Sequence, residues 1–517
     1  MGPAMTGERG RILQLRGVSK RFGDKAALAN VDLDVEAGEV HVVCGENGAG
    51  KSTLMSIVAG ILRPDEGDIL MDGRPARFAD PIDAARAGIG MVHQHFKLIP
   101  SMSVAENLYL NRQPRRWAVF SDRRAMREGA EALIRRYRFE LDPDAEVARL
   151  SVGQRQRVEI LKALGFDARL LILDEPTAVL TPPEVGELLA IMSQLKAAGR
   201  TILFITHKLG EVKAVADRVT VLRHGERIST RLARGLSETA IALDMVGREM
   251  RPPHRTAARR HDARPMLAFD SVTMTTASGR RTLDQVSLTV AAGEILGVAG
   301  VDGNGQTELT EASAGLAAIQ AGAIRLAGRD VTGLGVRARR QAGMAFIPED
   351  RLDRGLSATM SVSENLCASL YRRKELVGPA GFLRMAAVDG FVAAAVQRFD
   401  VRGASPSLAV GRLSGGNMQK IVIARELERE PAALIVAQPT RGLDIGATEF
   451  VHAQILAAAD AGCAVLLVSS ELTEIFALSD RIAVMFRGRL SGVVERGAAT
   501  EEAIGLMMNG APAGAAA

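Results

Sequence analysis

The sequence predicts an α/β fold written twice in one chain. Three observations carry this. A long stretch of the first half recurs in the second half. Each copy opens on an apolar strand that runs into a glycine-rich turn and then a helix. After that turn, short β-branched strands alternate with helical stretches, the pattern of a mostly parallel sheet covered by helices with a helical insert.

The repeat decides the architecture. "LANVDLDVEAGEVHVVCGENGAGKST", starting at Leu28, returns as "LDQVSLTVAAGEILGVAGVDGNGQTE", starting at Leu283, an offset of 255. Gln94 in "GMVHQHFKLIP" meets Glu349 in "GMAFIPEDRLD" at the same offset of 255. "SVAENL" at Ser103 and "SVSENL" at Ser361 lie 258 apart. "LSVGQRQRVEI" at Leu150 and "LSGGNMQKIVI" at Leu413 lie 263 apart, as do "LLILDEPT" and "ALIVAQPT", and "FITHKL" and "LVSSEL". The register slips only between the glutamine region and the LS-G segment. That interval is charged helical sequence ("SDRRAMREGAEALIRRYRF"), where a change of length costs little. Its arginines read as a solvated helix face, so no nucleic-acid partner is expected.

Length and composition set the frame. A chain of 517 residues, 47% hydrophobic and 24% charged, is ordinary soluble globular material. The net charge of +5 is mild and does not demand a polyanionic partner. No run of about 18 apolar residues occurs, so no membrane span is expected. "MGPAMTGERGR" has no apolar core and does not read as a secretory signal. Cys44, Cys367 and Cys463 lie far apart without metal-ligand spacing, which fits a reducing compartment. The expected organisation is a first domain over 8–247, a polar linker over 248–265 ("REMRPPHRTAARRHDARP"), a second domain over 266–510 and a disordered tail over 511–517.

The first copy carries a complete set of phosphate chemistry. "GENGAGKS", Gly45 to Ser52, fits G-x-x-x-x-G-K-[ST] between a strand and a helix. Gly45, Gly48 and Gly50 let the backbone amides of Glu46, Asn47 and Ala49 turn toward phosphate oxygens, and the helix N-terminus through Thr53 adds positive potential. Lys51 is expected to hold the β- and γ-phosphates of ATP and Ser52 to ligate Mg2+. An isolated match would read as an ordinary glycine turn, but here the remaining parts follow in order. "LLILDEP" ends a buried strand in adjacent acids. Asp174 is expected to reach the metal and Glu175 to orient or deprotonate the attacking water. His207, closing "TILFITH", is placed to bond the γ-phosphate. Gln94 is placed to sense metal and γ-phosphate. Phe22 is read either as a stacking surface for adenine or as ordinary core packing. His93 and His95 flank Gln94 without an accompanying acid or cysteine, so no metal role is expected of them.

The order of phosphate loop, glutamine loop, "LSVGQ", "LLILDEPT" and "THKL" resembles the nucleotide-binding domains of ABC transporters. The pair, with "GVDGNGQTE", "IPEDR", "LSGGN" and "AQPTRGLD" in the second, resembles the ATPase subunit of simple-sugar and nucleoside importers over residues 10 to 510 or so. "MVHQHFKLIPSMSVAENL" and "DEPTAVLTPPE" look most similar to the nucleoside branch, with ribose- and galactose-type importers as the close alternative. The resemblance implies two tandem P-loop NTPase domains, each a RecA-like core with an antiparallel β subdomain and a helical subdomain. It implies ATP and Mg2+, a peripheral position on the cytoplasmic face of the membrane, two integral-membrane permease subunits docking near the glutamine loops and inserts, and an extracytoplasmic substrate-binding lipoprotein. A soluble twin-ATPase acting on ribosomes or DNA is the alternative from another class; it is disfavoured by the short linker and the stripped second copy. An exporter ATPase is disfavoured by the tandem arrangement without fused spans.

In this family two domains pair head to tail, and that implied geometry sorts the parts into two sites. The first combines Gly45 to Thr53, Gln94, Asp174, Glu175 and His207 with Ser414, Gly415, Gly416 and Asp444 of the second copy. Every part of it is present. The second combines Gly300, Gly303, Gly305, Gln306 and Thr307 with Ser151 and Gly153 of the first copy. There Gln306 replaces the lysine, Ala437 and Gln438 the carboxylates, Ser470 the histidine, Glu349 the glutamine and Ala277 the aromatic residue, while Thr181 stands opposite where Asp444 stands in the first. The losses fall on one site rather than on both. One working site and one that keeps a glycine cradle but hydrolyses poorly are expected.

Overall fold

The protein is described from a computed structural model, which covers residues 10–93, 96–110, 112–116, 120–165, 167–177, 180, 182–249, 253–255, 265–276, 279–301, 303–371, 373–378 and 381–511. Gln94, His95, Thr181, Ala277, most of the expected linker and the tail from 512 onward lie outside the described residues. The chain divides into two units, Met1–Met250 and Arg251–Ala517.

In the first unit, strand Lys25–Glu36 buries Val31, Leu33 and Val35 while Asp32 and Asp34 face outward, the period-two pattern of a half-covered sheet. It pairs antiparallel with Arg11–Phe22, which continues through Glu66–Met71 to Arg74–Ala76. The main sheet has six strands in the order Glu226–Leu232, Arg218–Arg223, Val40–Cys44, Thr201–Ile205, Leu170–Asp174, Ile89–Val92. "VHVVC", "LLILD" and "TILFI" are buried at every position, because helices or the second sheet cover both faces. Their pairings are parallel, and only the outermost hairpin reverses direction. Parallel strands share a carboxyl edge, and in open α/β sheets that edge is where ligands sit. Cys44, Asp174 and Ile205 all end there.

The second unit repeats this order: Met344–Ile347, Ala433–Ala437, Ala464–Val468, Ile295–Ala299, Arg481–Phe486, Arg489–Glu495 in the main sheet. Arg281–Ala291, Pro265–Thr275, Ala321–Leu326 and Arg329–Asp330 form its antiparallel sheet. The helical inserts are opened by serine caps. Ser103 and Ser361 each form a reciprocal capping box with the glutamate three residues on, an arrangement that satisfies two amide donors at once. Among the described residues no helix is long and apolar enough to cross a membrane.

One part of the expected linker is built into the second unit. Arg255 is 6% exposed. Its guanidinium bonds Asp480 at 3.0 Å, Asp460 at 3.2 Å and the Gly293 carbonyl at 2.6 Å. A buried cation that meets two carboxylates and a carbonyl is compensated, so this residue of the polar segment packs inward.

Candidate functional site

The phosphate loop of the first unit owes its shape to three left-handed or extended glycines. Gly50 caps helix Lys51–Val58 with φ 100° and no side-chain bond to the amides, so those amides remain directed at the loop's mouth. Gly45 and Ala49 are buried, Glu46, Asn47 and Thr53 are half-buried, and Gly48 and Ser52 are exposed at the rim. Lys51 is 5% exposed. Its ammonium folds back into the loop, donating to the carbonyl oxygens of Gly45 at 2.8 Å and Glu46 at 3.0 Å, and lies 3.9 Å from Glu175 Oε1.

The carboxylates meet this loop from the neighbouring strand ends. The Ser52 hydroxyl donates to Asp174 Oδ1 at 3.3 Å. Glu175 takes φ 47°, a left-handed conformation rare for a residue with a side chain, and its amide donates to the Ile205 carbonyl at 3.1 Å. This turn sends its carboxylate toward His207, whose Nδ1 lies 3.4 Å from Glu175 Oε1. The two acids have opposite proton affinities. Burial, reinforced by the charge of Glu175, pushes Asp174 above the usual carboxylate range. Burial would push Glu175 up too, but the bond and charge of His207, with Lys51 and Lys208 nearby, hold it below that range. Lys51, Ser52, Asp174, Glu175 and His207 thus form one connected group. Phe22 is 51% exposed at the end of its strand, with Lys20 Nζ 6.0 Å from its ring centroid. It is therefore available for stacking and is not core packing.

The equivalent place in the second unit keeps the backbone and loses the charges. Gly305 caps helix Gln306–Ala314 with φ 107°, and Gly303 also has a positive φ of 86°. Gly300 is buried and Thr307 exposed. Gln306, 6% exposed, folds toward Gly300 as Lys51 folds toward Gly45, and its Oε1 has no hydrogen-bond partner among the described residues. Ala437 ends its strand. Gln438 takes φ 45°, its amide donates to Val468 at 2.8 Å, and its Oε1 accepts from the Ser470 amide at 3.1 Å and hydroxyl at 3.2 Å. An amide–hydroxyl contact stands where the first unit has an acid and an imidazole.

The serine–glycine segments begin helices. Ser151 caps Val152–Leu164 in a capping box with Gln154. The Gly153 amide donates to Glu184 at 3.1 Å. Ser414 caps Gly415–Leu427 and accepts from Asn417 Nδ2 at 2.9 Å. Asp444 caps Ile445–Asp460, accepting from the Ala447 amide at 2.8 Å. Sequence reasoning missed the buried carboxylates behind these turns. Glu474 accepts from Thr440 Oγ1 at 2.8 Å and lies 2.9 Å from His452 Nε2. Its counterpart Glu211 accepts from Thr206 Oγ1 at 2.6 Å. The repeat offset of 263 joins Glu211 to Glu474 and was the available signal.

A family model described as "ABC transporter" matches residues 28–178 and again 283–441. The chain is 43% identical over 500 residues to the nucleoside import ATP-binding protein NupA of Lactococcus lactis subsp. cremoris, covering 96% of this chain and 98% of that protein. It is 42% identical to the guanosine import ATP-binding protein NupO of Bacillus subtilis, covering 96% and 97%. It is 41% identical to a ribose import ATP-binding protein of Streptomyces avermitilis, covering 95% and 96%. Two family matches in one chain, each spanning a glycine loop and the strand end that faces it, place the protein: it belongs to the ABC transporter family, as a tandem ATP-binding cassette ATPase coupled to transport.

Proposed function

We propose that one ATP site per chain drives import of a nucleoside through two separate membrane permease subunits supplied by an extracytoplasmic binding lipoprotein. The carrying observation is the connected group Lys51, Ser52, Asp174, Glu175 and His207 in one unit, set against Gln306, Ala437, Gln438 and Ser470 at the matching places of the other. Mg2+ belongs beside Ser52 and Asp174. A hydroxyl and one carboxylate at a loop for phosphates are the hard-oxygen set this ion takes while keeping waters, and a cation there offsets the cost of ionising buried Asp174. When bound, the metal neutralises charge that builds on the phosphates. Lys51 holds the β- and γ-phosphates, Glu175 orients the attacking water and accepts its proton, and His207 holds Glu175 and the γ-phosphate in line. Gln94 completes this set as the residue that senses metal and γ-phosphate. Phe22 offers a ring to adenine.

As the family resemblance implies, Ser414, Gly415, Gly416 and Asp444 close over that nucleotide. Ser151 and Gly153 serve the second loop, where Gly300, Gly303, Gly305, Gln306 and Thr307 cradle a nucleotide that turns over poorly. Closure by ATP and opening after hydrolysis bias a two-state change, which a chain on the cytoplasmic face passes to the permeases. A cavity of about 340 Å3 in the second unit, bordered by Leu316, Met344, Phe346, Pro348, Arg354 and Arg425, suits an amphipathic permease segment. The nucleoside reading rests on the relatives named for nucleoside and guanosine import. A monosaccharide is the second reading, favoured by the ribose-import relative; uptake by the assembled transporter, with nucleosides and ribose as competing solutes, separates the two.

The experiment for the site is Glu175→Gln in the full chain. Turnover is expected to fall by about 10²-fold or more while ATP still binds. Intact turnover overturns the assignment. Gln438→Glu is expected to restore little, since Gln306, Ala437 and Ser470 remain.

A further inference from the structure

The short loop after strand Met344–Ile347, at the place where the first unit has its glutamine, is fastened to two other segments of the second unit. Asp350 caps the turn Arg351–Gly355, accepting from the amides of Leu352 at 2.8 Å and Asp353 at 2.9 Å. Glu349 pairs with Arg441. Arg351 Nη1 donates to the Arg441 carbonyl at 3.0 Å. The same guanidinium lies against the serine–glycine turn: a methyl placed on Gly415 would sit 2.8 Å from Arg351 Nη2, and one on Gly442 would sit 3.8 Å away. Arg351 therefore touches both segments that begin the helices capped by Ser414 and Asp444. On its other side, Arg354 pairs with Glu311 of the helix behind the second glycine loop, and Pro348 and Arg354 border the cavity described above.

The two arginines that make these fastenings have no counterpart in the first copy. At the offset of 255, Arg351 becomes Phe96, and at the offset of 263, Arg441 becomes Ala178. The unit whose serine–glycine face is assigned to the working site has an arginine rivet. The unit whose face is assigned to the silent site does not have these two arginines.

We propose that Arg351 is a positioning residue for ATP turnover, setting the distance between the Ser414–Gly416 turn and the 441–444 turn and tying both to the loop that borders the permease cavity. This rests on the reading that those turns close on the first glycine loop, whether of the same chain or of a second copy. The guanidinium suits the task because one nitrogen of its planar fork reaches a carbonyl while another lies close against a glycine, where a larger residue would displace it. Movement of the loop by a permease then moves both turns together, and turnover responds without any change in the first unit.

The test uses the full chain assembled with its permeases. Arg351→Ala is expected to lower kcat about tenfold or more, since a misplacement of about 1 Å away from the chemistry can cost about 10²-fold, with KM for ATP and Tm unchanged. Arg351→Lys, which keeps the charge but not the fork, is expected to recover part of the loss. Unchanged kcat in Arg351→Ala overturns the proposal. So does a loss in both variants that follows a lowered Tm, which assigns Arg351 to the fold alone. Ser414→Ala is measured beside them. If it leaves turnover intact, the reading of the serine–glycine face fails. If it impairs turnover while Arg351→Ala does not, only the positioning role fails.

Discussion

Asp174 and Glu175 are adjacent, yet the fold drives their protons in opposite directions. For Asp174 the folded pKa lies above the unfolded one, so the folded state holds more protons between the two values and stability falls as pH rises through that window. For Glu175 the folded pKa lies below, so its contribution is full above the unfolded value and is lost as pH falls through the folded one. Asp174→Asn is therefore expected to raise the Tm of the ligand-free protein at pH 7 by about 2–4 °C, the shift that about 1 kcal/mol gives in a unit of this size. The gain should vanish below about pH 4, where the unfolded carboxyl is itself protonated. Melting curves across pH 3–8 check it, and a gain independent of pH is the contrary result. A protein that loses turnover while gaining stability would place the destabilising charge where the chemistry needs it.

The glycine loops show what an element requires irrespective of its chemistry. A methyl on Gly50 would meet the Ala27 carbonyl at 2.6 Å and Leu28 Cδ2 at 2.7 Å, in a backbone with φ 100°. A methyl on Gly305 would meet the Thr282 carbonyl at 2.6 Å with φ 107°. Both substitutions distort the loop they sit in. Gly50→Ala is expected to weaken nucleotide binding at the first loop and abolish turnover, whereas Gly305→Ala leaves most of the turnover in place; steady-state hydrolysis by the two variants checks this, and equal losses would contradict one working site. These loops were legible in the sequence because a glycine pattern between strand and helix is a local signal. So were the buried strands, whose apolar runs mark them out. Arg255 against Asp480, Arg351 against Gly415 and Thr440 against Glu474 were not. Each joins residues with no shared period or spacing, and long-range polar pairs of this kind leave no local trace. Arg255 in particular stands in a stretch whose prolines and polar composition read as a linker.

At the scale of the whole chain, two units of the same strand order carry different inventories of charge. If one site hydrolyses and the other only holds, a full chain loaded with ATP should convert about one nucleotide per chain in a single turnover, as the assignment of one general base requires. Rapid-quench counting of ADP against total bound nucleotide checks this, and two conversions per chain would overturn it. Lys51→Ala should remove the converted nucleotide and leave the other bound. The left-handed backbone at Glu175, φ 47°, is matched at Gln438 by φ 45°, and each amide reaches the end of the neighbouring strand. That strained corner is the same with an acid and without one, so it is held by the sheet and not by catalysis. On the reading proposed above, the second unit is an engine mount awaiting its motor: with Gln306→Lys, Ala437→Asp, Gln438→Glu and Ser470→His together, the chemistry at its own loop could be bolted on without bending the chassis.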